Sequence, residues 1–308
     1  MAENLPTVSV IIPARAAAAT LPRTLQSVDA QTYPKIVEVI VAAADDSSAE
    51  AAQGATVILN RTGLTPTGLN QAIEASIGEV IVRCDAQSLL PPDYIEQAVE
   101  TLIRTGAANV GGMQVPVGTT QWERAIAEAM KSPLGSGDAR YRIGGEAGPV
   151  ETVYLGVFRR DALKRVGGFD EDFVRTQDYE LNHRLIAVGE IVWFDPQLKA
   201  TYQPRGSLRA LARQYFDYGR AKRQFDQKHP GSLRWRQMAA PALVTILTIT
   251  LVGSVWAPIL LVVPAGYALM LLGAGAAGSG SFWRVALAIA TMHLSWGSGF
   301  ITRWGRER

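Results

Sequence analysis

Residues 36–59 read IVEVIVAAADDSSAEAAQGATVIL: a β-branched run, an acidic and serine-rich turn, an alanine-rich stretch, then a second β-branched run. Such runs without polar alternation are expected of strands buried on both faces, so 36–42 and 56–59 predict strands and 47–53 the helix between them. The same pattern extends in both directions. TVSVIIP at 7–13 and EVIVR at 79–83 predict two more strands. Helical patterns at 21–30, 66–76 and 92–105 lie between or after them. Thr65 is placed to cap the second with Pro66 in its first turn, and Gly106 ends the third. Strand, helix, strand in this order predicts an α/β domain on a mostly parallel sheet with right-handed crossovers.

The rest of the chain divides by composition. Of 308 residues, 30 are basic and 28 acidic, yet residues 238–308 hold only Arg284, Arg303, Arg306, Arg308 and Glu307 among them. From Gln237 to Trp283 there are 47 residues without a charge, enough for two crossings of about 20 residues each. Pro258, Pro264 and Gly266 are the expected breaks, with spans near 239–256 and 258–276. A third uncharged run, 285–302, is long enough to cross but carries His293. The reading is a soluble domain, 1–236, and a transmembrane region of two or three helices, 237–308. Disorder, a collagen repeat and a nucleic-acid-binding tail are excluded.

Ten basic residues against Asp217 and Asp226 crowd residues 199–236. By the positive-inside tendency this collar places the first domain on the cytoplasmic side of a multi-pass cell-membrane protein. A single cysteine, Cys84, suits a reducing compartment, and the N-terminus shows no charged-then-apolar leader. Three spans would carry the basic tail Arg303, Arg306 and Arg308 outside, against the same tendency, which leaves a re-entrant or interfacial third segment open.

In a parallel sheet, ligands sit beyond the carboxyl ends of the strands. Arg15 follows the first strand, Asp45 and Asp46 the second, Asp85 the fourth. Carboxylates on one rim can accept hydrogen bonds from a base or ribose and hold a hard divalent cation at a diphosphate, while an arginine offsets phosphate charge. The plainer alternative is that these residues form turns and caps, Asp46 or Ser47 capping the next helix.

Four stretches carry a resemblance. They are VSVIIPAR (8–15), NRTGLTPTGLNQAIEASIGEVIVRCDAQSLLPPDYIEQAVETL (60–102), ETVYLGVFRRDALKRVGGFDEDFVRTQDYELNHRLIAVGEIVWFDP (151–196) and RQYFDYGRAKRQF (213–225). Together they resemble family 2 glycosyltransferases, most nearly the bacterial succinoglycan-type exopolysaccharide enzymes, over about residues 6–230. The resemblance implies a GT-A fold, Rossmann-like in its sheet, a nucleotide-sugar donor, Mg2+ or Mn2+, and inversion at the anomeric carbon. It implies a lipid-linked or surface-polysaccharide acceptor, a polyprenyl diphosphate suiting the membrane region, and no nucleic-acid partner. Oligomeric state is left open.

Carried over by position, Asp85 matches the first carboxylate of the family's metal and diphosphate motif, with Arg83 beside it. Asp178, in TQDYELN, matches the aspartate that serves as general base. Pro13, Arg15, Asp45 and Asp46 fall with Arg83 on the donor side. Gly167, Gly168 and Phe169 match a G-G-F turn near acceptor and sugar, with Gln177 and Glu180 flanking the base; Glu180 and Arg184, at i and i+4, also suit a supporting pair. Gly167 and Gly168 equally suit a helix C-cap after 161–166. Arg213 and Arg220 suit either the leaving diphosphate or anionic lipid headgroups.

The chain departs from the family pattern at three places. Gln87 stands third in the metal motif, Ala43 where a base-reading aspartate is usual, and Ala16 to Ala19 follow Arg15 without an acid. These departures leave a second reading, an inactive nucleotide-sugar-binding subunit. A membrane scaffold would give the Q-D-Y-E and R-C-D-A-Q segments no task, and a sugar nucleotidyltransferase would be expected to carry a glycine-rich phosphate loop after the first strand. His183, His229 and His293 lack zinc-site spacing, and Trp122 and Trp193 read as core or acceptor-site aromatics.

Overall fold

A computed structural model describes residues 5–276 and 281–302. The chain groups into two compact units, Met1–Val115 with Ala139–Tyr202, and Pro116–Asp138 with Gln203–Arg308.

The first unit opens with β1 (Val8–Ala14), α1 (Leu21–Asp29), β2 (Ile36–Ala43), α2 (Asp46–Glu50), β3 (Thr56–Leu59), α3 (Thr65–Ala75), β4 (Val80–Arg83), β5 (Ser88–Leu89), α4 (Tyr94–Thr105) and β6 (Asn109–Pro116). Next in the chain, α5 (Gln121–Lys131) and α6 (Pro133–Ser136) belong to the second unit. The first unit resumes with α7 (Arg140–Ile143), β7 (Gly148–Pro149), β8 (Tyr154–Arg159), α8 (Arg160–Arg165), α9 (Gln177–Ala187) and β9 (Val192–Tyr202). The strands form one sheet in the order β3-β2-β1-β4-β8-β6-β9-β5, with β7 on β9.

All four strands expected from the sequence are present and parallel: β1 pairs with β2 and β4, and β2 with β3. Beyond β4 the sheet turns antiparallel, β8 running against both β4 and β6. The sheet is therefore mixed, its parallel half carrying the loops read above. Alternate residues of β1 feed two cores. Val10 and Ile12 pack on one face with Leu25, Tyr94 and Ile95, while Ile11 packs on the other with Leu69, Ile73 and Leu181. Burial on both faces is what the unbroken β-branched runs encode.

Several helix starts differ from expectation. Helix α2 is capped by Asp45 rather than Asp46 or Ser47, because the Asp45 carboxylate reaches the Ser48 amide at 2.9 Å. Thr65 does not cap α3 but is its first residue. The preceding loop is satisfied by Asn60, whose side-chain amide donates to the Leu64 carbonyl at 2.8 Å. Helix α9 begins at Gln177, which places Asp178 inside its first turn. Gly106 does end α4, in the left-handed conformation.

The second unit adds α10 (Leu208–Lys228), a 3-10 turn Trp235–Met238, α11 (Ala239–Gly253), a 3-10 turn Pro258–Leu261, α12 (Val262–Ala276) and α13 (Phe282–Ile301). The compositional boundary at 236 is thus not where the packing divides. Residues 116–138 and 203–236 pack with the C-terminal helices, because amphipathic α5 and α10 bury their apolar faces there. Two stretches, Trp235–Gly253 and Pro258–Ala276, are long and apolar enough to cross a membrane, and only 17% and 11% of their apolar windows is buried within the fold. The basic tail at 303–308 lies outside the described residues.

Candidate active site

Parallel pairing brings the ends of β1, β2 and β4 to one edge: Ala14 lies opposite Ala43, and the Cys84 amide donates to the Ile11 carbonyl at 3.0 Å. The loops from these ends converge with the start of α9. At their centre is Arg83, the last residue of β4, with its side chain only 6% exposed. One terminal nitrogen donates to Asp85 Oδ1 at 2.9 Å, and the other to Asp178 Oδ1 in a short contact. One guanidinium therefore holds both carboxylates, and the bonded oxygens lie no more than about 8 Å apart.

Each carboxylate keeps its second oxygen open. Among the described residues, no donor reaches Oδ2 of Asp85 or of Asp178, and their side chains are 27% and 36% exposed. Desolvation raises the Asp178 pKa above its ordinary value of 3.8; Arg83 opposes that rise and Asp85 adds to it. Burial works against the Arg83 charge, but Asp178 and Asp85 more than offset it and keep the guanidinium protonated. The result is a more basic carboxylate beside a permanent cation.

Backbone strain collects around this edge. Ala16, Leu155 and Thr176 are the non-glycine residues with positive φ among those described, at 49°, 48° and 60°. Thr176 immediately precedes Gln177 and Asp178 and turns the chain so that Asp178 enters the first helical turn. For a β-branched residue this conformation is uncommon, and such strain persists where the surroundings impose it.

Asp45, expected on the donor side, is committed to structure. It accepts from the Ala16 amide (2.6 Å), the Ser47 hydroxyl (2.6 Å), and the Ser48 amide (2.9 Å) and hydroxyl (3.0 Å). Those donors, led by Ser47, hold its carboxyl far below the usual range. It ties the first loop to the second, which leaves exposed Asp46 as the open carboxylate there. Arg15 is also exposed, its guanidinium 3.4 Å from the Gly63 carbonyl, and Pro13 is half-buried opposite Ala42. Ala43 is buried, and Gln87 is exposed on the Asp85 loop.

The G-G-F turn is a built joint. Gly167 and Gly168 have φ of 76° and 72°, and a methyl group on Gly168 would strike the Asn70 side chain. Asn70 of α3 receives the Phe169 amide and donates to the Phe169 carbonyl, both at 2.8 Å. Glu180, expected toward acceptor or sugar, is fully buried. It grips Arg184, whose guanidinium also binds the Val166 and Gly168 carbonyls. Phe169 and Gln177 are buried as well, Phe169 with its backbone held by Asn70 and Gln177 at the start of α9. Arg213 and Arg220 are on α10, in the second unit.

Sequence reasoning missed the Asn70 clamp, and it missed Tyr154, whose hydroxyl meets Ser88 at 2.8 Å just beyond the Asp85 loop. Nothing local marks either residue. Their partners are 99 and 66 positions away.

Residues 9–167 match the glycosyl transferase family 2 model. The chain belongs to that family. It is 34% identical over 251 residues to "Succinoglycan biosynthesis protein ExoA" of Rhizobium meliloti (strain 1021), covering 78% of this chain and 75% of that protein. A second relative, 26% identical over 54% of this chain and 53% of its own length, is a dolichyl N-acetyl-alpha-D-glucosaminyl phosphate 3-beta-D-2,3-diacetamido-2,3-dideoxy-beta-D-glucuronosyltransferase of Methanococcus voltae. Among solved structures, the mannosyltransferase PcManGT from Pyrobaculum calidifontis, in complex with GDP-Man and Mn2+, superposes with a TM-score of 0.65 at 20% identity. That match covers 96% of this chain and 87% of the other. S. aureus TarS follows at 0.52 and 14% identity, covering 77% of this chain and 47% of its own. This family 2 chain is a glycosyltransferase with a GT-A fold, and the inactive-subunit reading gains no support from these relatives.

Proposed function

We propose that this glycosyltransferase moves a sugar from a nucleotide diphosphate sugar to a lipid-linked or surface-polysaccharide acceptor, with inversion, at the cytoplasmic face of the cell membrane. The observation that carries the reading is the pair of carboxylates on Arg83, each with one oxygen free. Inverting transfer needs one group at the leaving diphosphate and another that takes the proton of the attacking hydroxyl. Asp178, desolvated and more basic than a free aspartate, is the base. Arg83 keeps it oriented through Oδ1, leaving Oδ2 for the acceptor hydroxyl.

A divalent cation suits Asp85. Its open Oδ2 offers a single carboxylate ligand, and Mg2+ or Mn2+ at phosphates commonly takes one or two carboxylates with substrate oxygens and water. No cluster of three acidic, histidine or cysteine ligands exists among the described residues, and a cation held by Asp85 would need further oxygen ligands from the donor's phosphates and water. When bound, the ion offsets charge on the leaving diphosphate. Exposed Asp46 and Arg15 are the donor-side groups nearest in the fold's logic, Asp46 toward the nucleoside and Arg15 toward phosphate. The donor and cation of PcManGT and the dolichyl-linked substrate in the name of the Methanococcus relative favour this choice of chemistry.

The membrane reading takes two spans and one interfacial helix. Helix α13 packs on α5 and α10 as well as on α11 and α12, where Gly297 meets the Ala240 carbonyl and His293 meets the Tyr267 hydroxyl at 3.1 Å. Gly219 and Gly299 bring its C-terminal half against α10, where Arg223 also lies over Phe300 at 5.5 Å, and Trp283 at its other end meets Trp122 of α5. Its outward residues Trp283, Leu287, Leu294 and Ile301 form one apolar stripe. A helix held on this side at both ends leaves the basic tail with the collar, in keeping with the positive-inside tendency.

The test is transfer by the purified full-length chain with a panel of nucleotide sugars, a membrane lipid extract, and Mg2+ or Mn2+. Asp178→Asn is expected to reduce kcat by about 100- to 10,000-fold, the usual contribution of a general base. Turnover by the variant equal to wild type, or no transfer with any donor, would remove the proposal.

A further inference from the structure

Arg284 is the one charged residue between positions 238 and 302. It lies in the first turn of α13, half-buried, with its guanidinium over the Trp283 ring at 4.5 Å and the Trp122 ring at 5.8 Å. The two rings meet edge to face at 5.8 Å, so the cation lies against an aromatic corner built from α5 and α13. No carboxylate among the described residues pairs with Arg284, and its buried Nε has no acceptor. A partly buried guanidinium without a counter-charge is a poor arrangement unless an anion joins it.

A second observation points to the same spot. Ser281, at the N-cap of the 20-residue α13, makes no side-chain cap, so the amides of Phe282 and Trp283 have no acceptor among the described residues. Free amides at the positive end of a long helix favour an anion, and Arg284 belongs to the same first turn. Phe282 and Trp283 are 51% and 42% exposed, which places apolar surface next to the charge.

We propose that Arg284, Trp122, Trp283 and the first turn of α13 bind the phosphate of a membrane lipid, with acyl chain against the exposed rings. The proposal rests on the membrane reading above. A phosphate with an attached apolar chain matches every part of the corner, and both a bilayer phospholipid and a polyprenyl monophosphate have that chemistry. A soluble anion would leave Phe282 and Trp283 without a task.

Native mass spectrometry of the detergent-solubilised full-length chain tests this with four probes: phosphatidylglycerol, polyprenyl monophosphate, diacylglycerol and inorganic phosphate. Wild type is expected to retain at least one of the two phosphate-bearing lipids about tenfold better than diacylglycerol. Arg284→Gln loses that preference, and Arg284→Lys keeps part of it. Unchanged thermal unfolding of both variants without lipid excludes misfolding as the cause, and Trp283→Leu provides an independent second lesion. The tighter of the two lipids identifies the source of the phosphate. Equal retention by Arg284→Gln and wild type, or displacement of the lipid by inorganic phosphate at equal concentration, would overturn the site. Failure to retain any lipid would overturn the membrane reading with it, whereas Asp178-dependent transfer is read separately and stands or falls alone.

Discussion

Arg83 does at the residue scale what neither carboxylate could do alone. Two acids drawn into one partly desolvated cleft would repel, and a permanent cation between them offsets that repulsion and holds both in place. A lysine brings one nitrogen in place of the two that Arg83 uses, so Arg83→Lys does not hold both carboxylates at their present positions. Expected for Arg83→Lys is a fall in kcat of about 10- to 100-fold, typical of losing an orienting partner, with a smaller change in donor KM; steady-state kinetics with saturating acceptor checks it. The pH dependence follows from Asp178. The base must be ionised to accept a proton, and desolvation raises its pKa above 3.8, so kcat/KM rises with pH through a midpoint above that value. An acid limb centred at or below the ordinary aspartate value would contradict this assignment.

Among the helices, the crossing of α10 and α13 is set by two glycines. A methyl group on Gly219 would run into the Trp296 carbonyl, and one on Gly299 into the Phe216 carbonyl. The two backbones touch where these residues lack side chains, as close helix approaches require. Valine at either position forces the helices apart and is expected to destabilise by roughly 1–3 kcal/mol, as overpacking does. The measurement is thermal unfolding of the solubilised chain. Gly266→Ala on α12, where an added methyl meets nothing, is the control and leaves the midpoint unchanged or higher.

For the molecule as a whole, the arrangement of spans decides where each end of the chain lies. Under the proposed two crossings by α11 and α12 with an interfacial α13, residue 1 and the segment after 302 would lie on the same side. Reporter fusions at both termini are expected to score as cytoplasmic, and a cysteine placed at Trp256, in the turn after α11, is expected to react with an impermeant reagent from outside. A C-terminal reporter scoring as external would mean that α13 crosses.

What could be read from the chain itself was whatever is encoded locally or by composition. The four parallel strands follow from β-branched runs and two helices long and apolar enough to cross a membrane from 47 uncharged residues, while Asp85 and Asp178 were singled out through the resemblance to family 2 glycosyltransferases. The antiparallel half of the sheet was not legible, because its pairings join residues such as Val82 and Val157 that carry no local mark of one another. Asp45 and Glu180 show the same limit at the site. Each looks like a free acid in the sequence, but their uses depend on groups brought in by the fold, the Ala16 amide for one and the arginine clamp on the Gly168 carbonyl for the other. Hydrophobic periodicity is a property of neighbours along the chain and survives in a string of letters. The partner of a buried charge is chosen by packing in three dimensions, so only the tertiary structure decided that Arg83 would join two carboxylates 93 residues apart.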